Sequence, residues 1–513
     1  MMSKAMEDNT FHVACCVMRQ AVPNGLSALA MMMVGFTTVL FVSQLHDSKI
    51  LGGVGVGSML YNIFGLSLGV GMTSALDTLV SYTNGAGLYE RSGVHLQRAC
   101  VVCTLVCAPS SLILYFTEDF LLRIGQDPLT AHEAGLYVRG AIPSMWFLYM
   151  SNAIGTYLRA QTIPHASVYA TWTSNILHVM NCYFFIYQLN MGAFGAGLAF
   201  SVTQVINCVF VAAYIQFIRP GVTQKSWLRW NCQHATSNLY GFIEKALPCA
   251  MLMWAEWWCS EVMTLLAGYL GVLSLAAHTA VLQVFVLVYM SLGGFSCAAA
   301  VLVGNAMGAS SPALAKRNAL VTSAVMLVVC TVVDLVIWCL SDSIPGIFTA
   351  DPEVEMQIKS LLEILLIVIP LDSLQSVIDG LFRGLGKQGT AFKVKLCCMW
   401  GIRLPTAGYL ALYCGLGVQG IWWGSTIGLL ITMIVYVFLA LRIDWDQEAD
   451  AAHKAYQPLS GSPNQDLRSR NRTLSFQSSG SGVLISPPPF GPTVTSCGFG
   501  EEGDSIVSDH EAL

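Results

Sequence analysis

Residues 272–303 read VLSLAAHTAVLQVFVLVYMSLGGFSCAAAVLV, thirty-two consecutive positions without one charged side chain. A helix of that length runs roughly 48 Å at about 1.5 Å per residue. The hydrocarbon core of a bilayer needs only ~20 residues, so this segment must tilt or continue along the interface. Backbone amides in hydrocarbon have to bond within their own segment, which excludes an open sheet. Working outward, residues 22–43, 51–80, 99–116, 136–158, 166–188, 192–218, 246–268, 318–341, 360–382, 394–415 and 417–441 share this apolar character. The spacing predicts an all-α integral membrane protein with twelve transmembrane helices.

Composition agrees. Of 513 residues, 55% are hydrophobic and 11% charged, against about 25% charged in a soluble domain. The mean hydropathy is +0.60. No basic stripe interleaved with aromatics is present, which argues against nucleic acid as a partner. Residues 1–19 carry Glu7 and Asp8 and no small-residue cleavage site after an apolar core, so the first helix is expected to act as its own insertion signal. Most of the 17 cysteines lie in apolar runs, where they behave as small hydrophobes. The Cys100–Cys103 spacing sits mid-helix without a second ligand pair, and no metal site is expected. Cys15 and Cys16 stand where acylation would be placed.

The chain repeats itself. Ala21-Val22-Pro23 recurs as Ala246-Leu247-Pro248, Gly85-Ala86 as Gly308-Ala309, and Arg98 as Arg317. Asp127-Pro128 recurs as Asp351-Pro352, Ile142-Pro143 as Ile369-Pro370, Leu158-Arg159 as Phe382-Arg383, and Gly192 and Gly195 as Gly417 and Gly420. All offsets fall between 219 and 227 and the order is kept. An even six-helix offset gives two lobes of the same orientation, related by a pseudo-twofold axis along the membrane normal, with a cavity between them. The expected organisation is a cytosolic segment 1–20, an N-terminal lobe 21–218, a cytosolic loop 219–245, a C-terminal lobe 246–442, and a disordered cytosolic tail 443–513. With the N-terminus inside, thirteen basic residues fall in inner loops, Lys393 and Lys395 among them, and four in outer ones (Lys49, Arg123, Arg139 and Lys359). That bias puts both termini in the cytosol. The tail carries Arg468, Arg470 and Arg472 around Ser469, Thr473 and Ser475, either a basophilic kinase target or plain solvated chain; the Asn471 sequon would be unused in a cytosolic tail.

Charges inside the spans carry the functional argument. A carboxylate at mid-bilayer costs about 2.5–3.5 kcal/mol on insertion scales and has to face protein or water. Glu256 and Glu261 share the seventh helix, about 140° apart around it. On the tenth helix Asp372, Gln375, Ser376, Asp379 and Arg383 form one polar stripe. The simplest reading of Asp379 and Arg383 is an i,i+4 ion pair; Asp372 has no cation at i±3 or i±4. A carboxyl so placed can hold a proton or a cargo cation in turn, and a Na⁺ site would use the same oxygens. Asp77, at the inner end of the second helix, is read as a cap or gate residue as much as an ion ligand. Arg403 is expected to pair with a carboxylate, His178 and His278 to pack, and Asp334 and Glu363 to lie toward the outer side. Trp254, Trp257, Trp258, Tyr149, Phe285 and Tyr289 are candidates to line a cavity for flat cations.

At these residues the chain resembles the multidrug and toxic compound extrusion (MATE) family, eukaryotic members above all. The resemblance is carried by Glu256-Trp257-Trp258-Cys259-Ser260-Glu261 with Ala267-Gly268-Tyr269-Leu270-Gly271, by Val303-Gly304-Asn305-Ala306-Met307-Gly308-Ala309, by Ala75-Leu76-Asp77-Thr78-Leu79, and by Phe382-Arg383-Gly384-Leu385-Gly386-Lys387-Gln388. It spans roughly residues 20–445. It implies a twelve-helix antiporter, not an enzyme, that exports organic cations against protons or Na⁺, without a cofactor beyond the coupling ion. It also implies that Glu256, Glu261 and Asp372 match the family's acidic positions for cation or proton binding. Three positions depart from the pattern: Gln283 where animal members carry glutamate, Ser81-Tyr82 where Ser-Gln is usual, and Arg403 where a small residue is usual.

The expected function is a proton-coupled efflux antiporter. Glu256 and Asp372 are its competing sites, Glu261 supports them, Asp77 gates, and Asp379, Gln283 and Arg403 are secondary. The expected partners are a small-molecule substrate, an organic cation, and membrane lipid, around a monomer in the plasma or a vacuolar or endosomal membrane. Alternatives are a lipid-linked saccharide flippase on a related scaffold, which would need a cationic cavity, and a membrane receptor or channel.

Overall fold

A computed structural model describes residues 10–218, 225–227 and 229–456. Twelve long helical segments fill this range. They are α1 (Thr10–Ser43), α2 (Ser48–Gly85), α3 (Tyr89–Tyr115), α4 (Pro128–Ala160), α5 (His165–Cys182, continued by Tyr183–Gln188), α6 (Gly192–Ala213, continued by Tyr214–Ile218), α7 (Leu239–Leu270), α8 (Val272–Gly308), α9 (Pro312–Leu340), α10 (Pro352–Gly384), α11 (388–413) and α12 (Gly417–Leu441). A further helix, α13 (Trp445–Tyr456), follows. Eight of the twelve are long and apolar enough to cross a membrane unaided: α1, α2, α3, α6, α8, α9, α10 and α12. The other four are more polar or interrupted. α4 is largely buried within its lobe, α7 carries Glu256 and Glu261, and α5 and α11 contain wide π turns.

Most helices outrun the apolar stretches that announced them. α1 starts at Thr10, inside the segment 1–20 expected to precede it, α7 starts inside the expected loop 219–245, and α3 starts at Tyr89. Hydropathy marks where hydrocarbon ends, whereas the i→i−4 ladder continues as long as backbone and packing allow. The tail is corrected on the same ground. Residues 445–456 are helical, with Trp445, Ala449 and Ala452 packed against Met307 and Leu314, and with Lys387 paired to Glu448 at 2.5 Å. The kinase-type motif and the sequon lie outside the described residues.

Repeat-related residues do the same work twice. Asp127 and Asp351 cap α4 and α10 by accepting backbone N–H groups from Thr130 and Glu353, the usual service of an N-cap carboxylate. Gly192 and Gly417 hold left-handed φ angles of 52° and 57° as the first residues of α6 and α12, a region that a Cβ disfavours.

The core divides into two lobes. One is built from α2–α6 and closed by Phe242, Ala246 and Ala250 of α7. The other centres on α8–α10 and α12 and is closed by Val13, Val17 and Ala21 of α1. Each lobe's first helix thus leans its opening turns on the opposite lobe. Small residues let the backbones approach. A Cβ on Gly71 would lie 2.4 Å from the Ala250 Cα, and one on Gly294 would lie 2.1 Å from the Ala21 carbonyl oxygen. Nearer the helix ends, a Cβ on Gly85 would meet the Asn305 oxygen at 2.1 Å and one on Gly308 the Tyr82 oxygen at 2.2 Å. Positions 82 and 85 are the repeat partners of 305 and 308, so the contact is self-complementary about a twofold axis. These approaches, and the hydrogen bonds from Asn84 to Asn305 (2.7 Å) and from Asn305 to the Ala160 carbonyl (3.0 Å), gather at the end where α1 and α7 begin.

Candidate functional site

Two charged clusters lie among the helices. The first is inside the C-terminal lobe. From α7, Glu256 reaches Lys395 of α11 at 3.1 Å; from α10, Asp379 reaches the same ammonium at 2.7 Å. The Tyr436 hydroxyl of α12 donates to the other Asp379 oxygen at 2.8 Å. The Asp379 and Lys395 side chains are 8% and 5% exposed and that of Glu256 is 21% exposed, so Glu256 is the member that reaches accessible space. Asp372, 6% exposed and two turns from Asp379 on the same helix face, is near enough to Glu256, Lys395, Arg403 and Asp379 to feel their charges. It makes no ion pair and no hydrogen bond among the described residues. Tyr289 of α8 is near enough to Glu256 and Asp372 to feel their charges, and the Gln375 side-chain oxygen, also buried, has no partner among the described residues.

This geometry corrects several expectations. Asp379 does not pair with Arg383 four residues away; it takes Lys395, because Arg383 turns to the other lobe. Arg403 pairs with no carboxylate among the described residues. Its Nε donates to the Ser425 hydroxyl at 2.7 Å, in a wide π turn of α11, with Gly428 leaving room for its side-chain stem. Tyr149 lines no cavity: it is fully buried and its hydroxyl caps the Gly65 carbonyl at 2.8 Å, beside the π turn of α2. Trp254 and Trp258 pack together at 5.2 Å, and Phe64 of the first lobe meets Trp258 at 6.1 Å. Phe285 and Tyr289 form a pair at 5.9 Å. Glu261 lies one and a half turns beyond Glu256, partly buried, without an ion pair among the described residues. Gln283 is exposed and lines a separate pocket between α8 and α10, with Thr279, Phe348 and Asp351. The structure therefore brings Glu256, Asp372 and Asp379 together and leaves Glu261 and Gln283 apart.

Lys395 is the member that sequence reading missed, having been counted among the inner loops. The signal was present: Gln388, Ala391, Lys395 and Cys398 are all buried at helical spacing, whereas Lys393 is exposed.

The second cluster joins the lobes. Asp77, fully buried on α2, takes Arg159 of α4 at 3.1 and 3.3 Å and Arg383 of α10 at 3.3 Å. Arg383 also donates to Ser296 of α8 at 2.9 Å, and the Thr78 hydroxyl donates to the Arg383 carbonyl at 2.6 Å. Arg159 and Arg383 are repeat partners. The repeat partner of Asp77 is Ala300, so one carboxylate serves two symmetry-related guanidiniums. The lone histidines are structural: His178 bridges Thr38 and Thr203 at 2.9 and 2.7 Å, and His278 packs beside Trp422.

The family profile MatE matches residues 23–184 and 248–408, one copy in each lobe. The chain is 29% identical over 436 residues to multidrug and toxin extrusion protein 1 of Danio rerio, covering 85% of this chain and 73% of that protein. It is 29% identical over 445 residues to Protein DETOXIFICATION 37 of Arabidopsis thaliana, covering 86% of each. Its fold superposes on the crystal structure of the eukaryotic MATE transporter AtDTX14 with a TM-score of 0.82 at 24% identity, covering 87% of this chain and all of that one. A duplicated profile lying on two lobes, a twofold contact between them and a charged cluster inside one of them have a single reading: the chain belongs to the MATE family of transporters.

Proposed function

We propose that this transporter exports organic cations in exchange for protons, by alternating access between its two lobes. The observation that carries the reading is Asp372: a carboxyl buried in the membrane-spanning bundle, next to other charges, with no fixed cation of its own. Such a group is unstable as a bare anion in a low-dielectric interior. It has to be neutralised by something mobile, and a proton and a cargo cation are the two candidates that exclude each other. The names of the relatives, multidrug and toxin extrusion proteins, favour export of drugs and toxins over the saccharide-lipid and receptor alternatives. The twofold approaches at the α1 and α7 end, with the Asp77 bridge, support a state closed at that end and accessible from the other.

Orientation follows from charge. Without Lys395, twelve basic residues remain at the α1 and α7 end against four at the other, and three of those four have acid partners: Lys49 with Asp127, Arg139 with Glu118, and Lys359 with Asp342. The bias supports a cytosolic α1 and α7 end. The test is reconstitution in vesicles with an imposed pH or Na⁺ gradient and labelled tetraethylammonium as cargo. A pH gradient should drive countertransport in wild type and fail to do so in Asp372→Asn. Coupling that survives this substitution, or that follows Na⁺ alone, overturns the reading.

A further inference from the structure

Lys395 has no part in the exchange just proposed, yet its ammonium is the most connected charge in the cluster. It is 4% exposed, lies on the buried stripe of α11, and is held by two carboxylates from two other helices. Asp379 is fixed in turn by Tyr436. An ammonium in that position cannot depart with the cargo; it is a cation that the protein keeps.

The charged and titratable groups around Asp372 come from every packed neighbour. α7 supplies Glu256, α8 Tyr289, α10 Asp379, α11 Lys395 and Arg403, and α12 Tyr436. α9 supplies Cys330, with Asp334 beyond it. Three carboxylates near one another thus face two fixed cations. Summed over the cluster one negative charge is left over, and Asp372, the one of the three carboxylates without an ion pair among the described residues, is placed to take a mobile cation.

We propose that Lys395 is a resident cation that sets the charge carried per cycle, restricting the site to one proton exchanged for one monovalent cation. The inference rests on the proton-exchange reading and deepens it by naming a substrate class. In each half-cycle one positive charge neutralises Asp372: a proton on its carboxyl oxygen, or the cargo cation beside it, the proton leaving as the cargo arrives. A buried site tolerates neither a surplus charge nor an unpaired one. A dication would overfill this site and a neutral molecule would leave it empty. Removing the ammonium leaves two negative charges to satisfy instead of one.

The test uses the full chain in vesicles under an imposed pH gradient with clamped membrane potential. The cargo is tetraethylammonium, or hexamethonium as a dication of the same chemistry. Wild type should exchange tetraethylammonium at a rate independent of the potential. Lys395→Met should make that exchange potential-sensitive, steepen its pH dependence from one proton toward two, and shift preference toward hexamethonium by about fivefold, the effect of one modest ionic contact. Lys395→Arg should keep the one-for-one count at whatever rate it runs. The double variant Lys395→Met with Asp379→Asn removes one charge of each sign and should restore that count, which keeps the test valid if the single variant folds poorly. A wild type that moves more than one charge overturns the inference, as does a Lys395→Met variant with unchanged potential dependence and preference. A wild type that shows no gradient-driven countertransport sinks the underlying exchange reading instead.

Discussion

The two lobes share a repeat but not a chemistry. Apart from the Asp77–Arg159 pair at the inter-lobe contact, the N-terminal lobe is tied by neutral hydrogen bonds: Thr38, His178 and Thr203 join α1, α5 and α6, Tyr61 meets Ser144 at 2.7 Å, and Ser201 donates to the Gly140 carbonyl at 2.7 Å. In the C-terminal lobe the equivalent depth holds Glu256, Asp372, Asp379, Lys395 and Arg403. Where the tenth helix has Asp379, the fourth has Gly155, four residues before the matching arginine. Duplication supplied the twofold contact in both copies, and one copy alone holds the cluster around Lys395. On the proposed reading, one lobe acts as a scaffold and the other carries the exchangeable charge.

That contrast can be broken by substitution. The largest effect is expected at Glu256→Gln and Asp372→Asn. Loss of a buried charge contact, to Lys395 at Glu256 and to the cargo at Asp372, is worth about 3–5 kcal/mol, so gradient-driven uptake into inverted vesicles should fall by roughly two to four orders of magnitude. Next comes Asp77→Asn, which leaves Arg159 and Arg383 buried without a counter-charge. The closed end should open, by about 3 kcal/mol or more, as a gain in thiol labelling at a cysteine placed at position 84 or 305. The two glycine approaches sharpen the symmetry argument: Gly85→Val and Gly308→Val should each impair closure, and to a similar degree, because their contacts are twofold-related. A large effect at one and none at the other would contradict the isologous contact. His178→Asn should cost about 1–2 kcal/mol of stability through lost hydrogen bonds, seen in thermal unfolding, with the pH profile of transport unmoved. The smallest effect belongs to the partly exposed Lys387–Glu448 pair, where Glu448→Ala should cost no more than about 1 kcal/mol.

How much of this was legible in the sequence follows from the range of each interaction. The lobes, the repeat and the caps depend on short motifs, and Gly192 with Gly417 or Asp127 with Asp351 could be matched by eye before any coordinates. The acidic positions were equally visible, since a carboxylate in an apolar run has few innocent explanations. Pairing was not legible. Arg383 ignores the aspartate one turn away and reaches Asp77, 306 positions earlier, because the twofold contact brings α2 against α10. Arg403 settles on a serine for a similar reason: the π turn of α11 rotates it away from the direction that regular helical spacing implies. Lys395 was lost because, at the edge of the 394–415 stretch, it was counted with the inner-loop cations although it lies within that stretch.

The central claim is competition for Asp372 between a proton and a cargo cation. Proton release on binding tests it most directly, measured in a weakly buffered solution of the detergent-solubilised protein as tetraethylammonium is added. About one proton should appear per cation bound in wild type, by linkage between the two equilibria, and none in Asp372→Asn. Saturable binding that releases no proton from the wild type, or equal release from the variant, would contradict it.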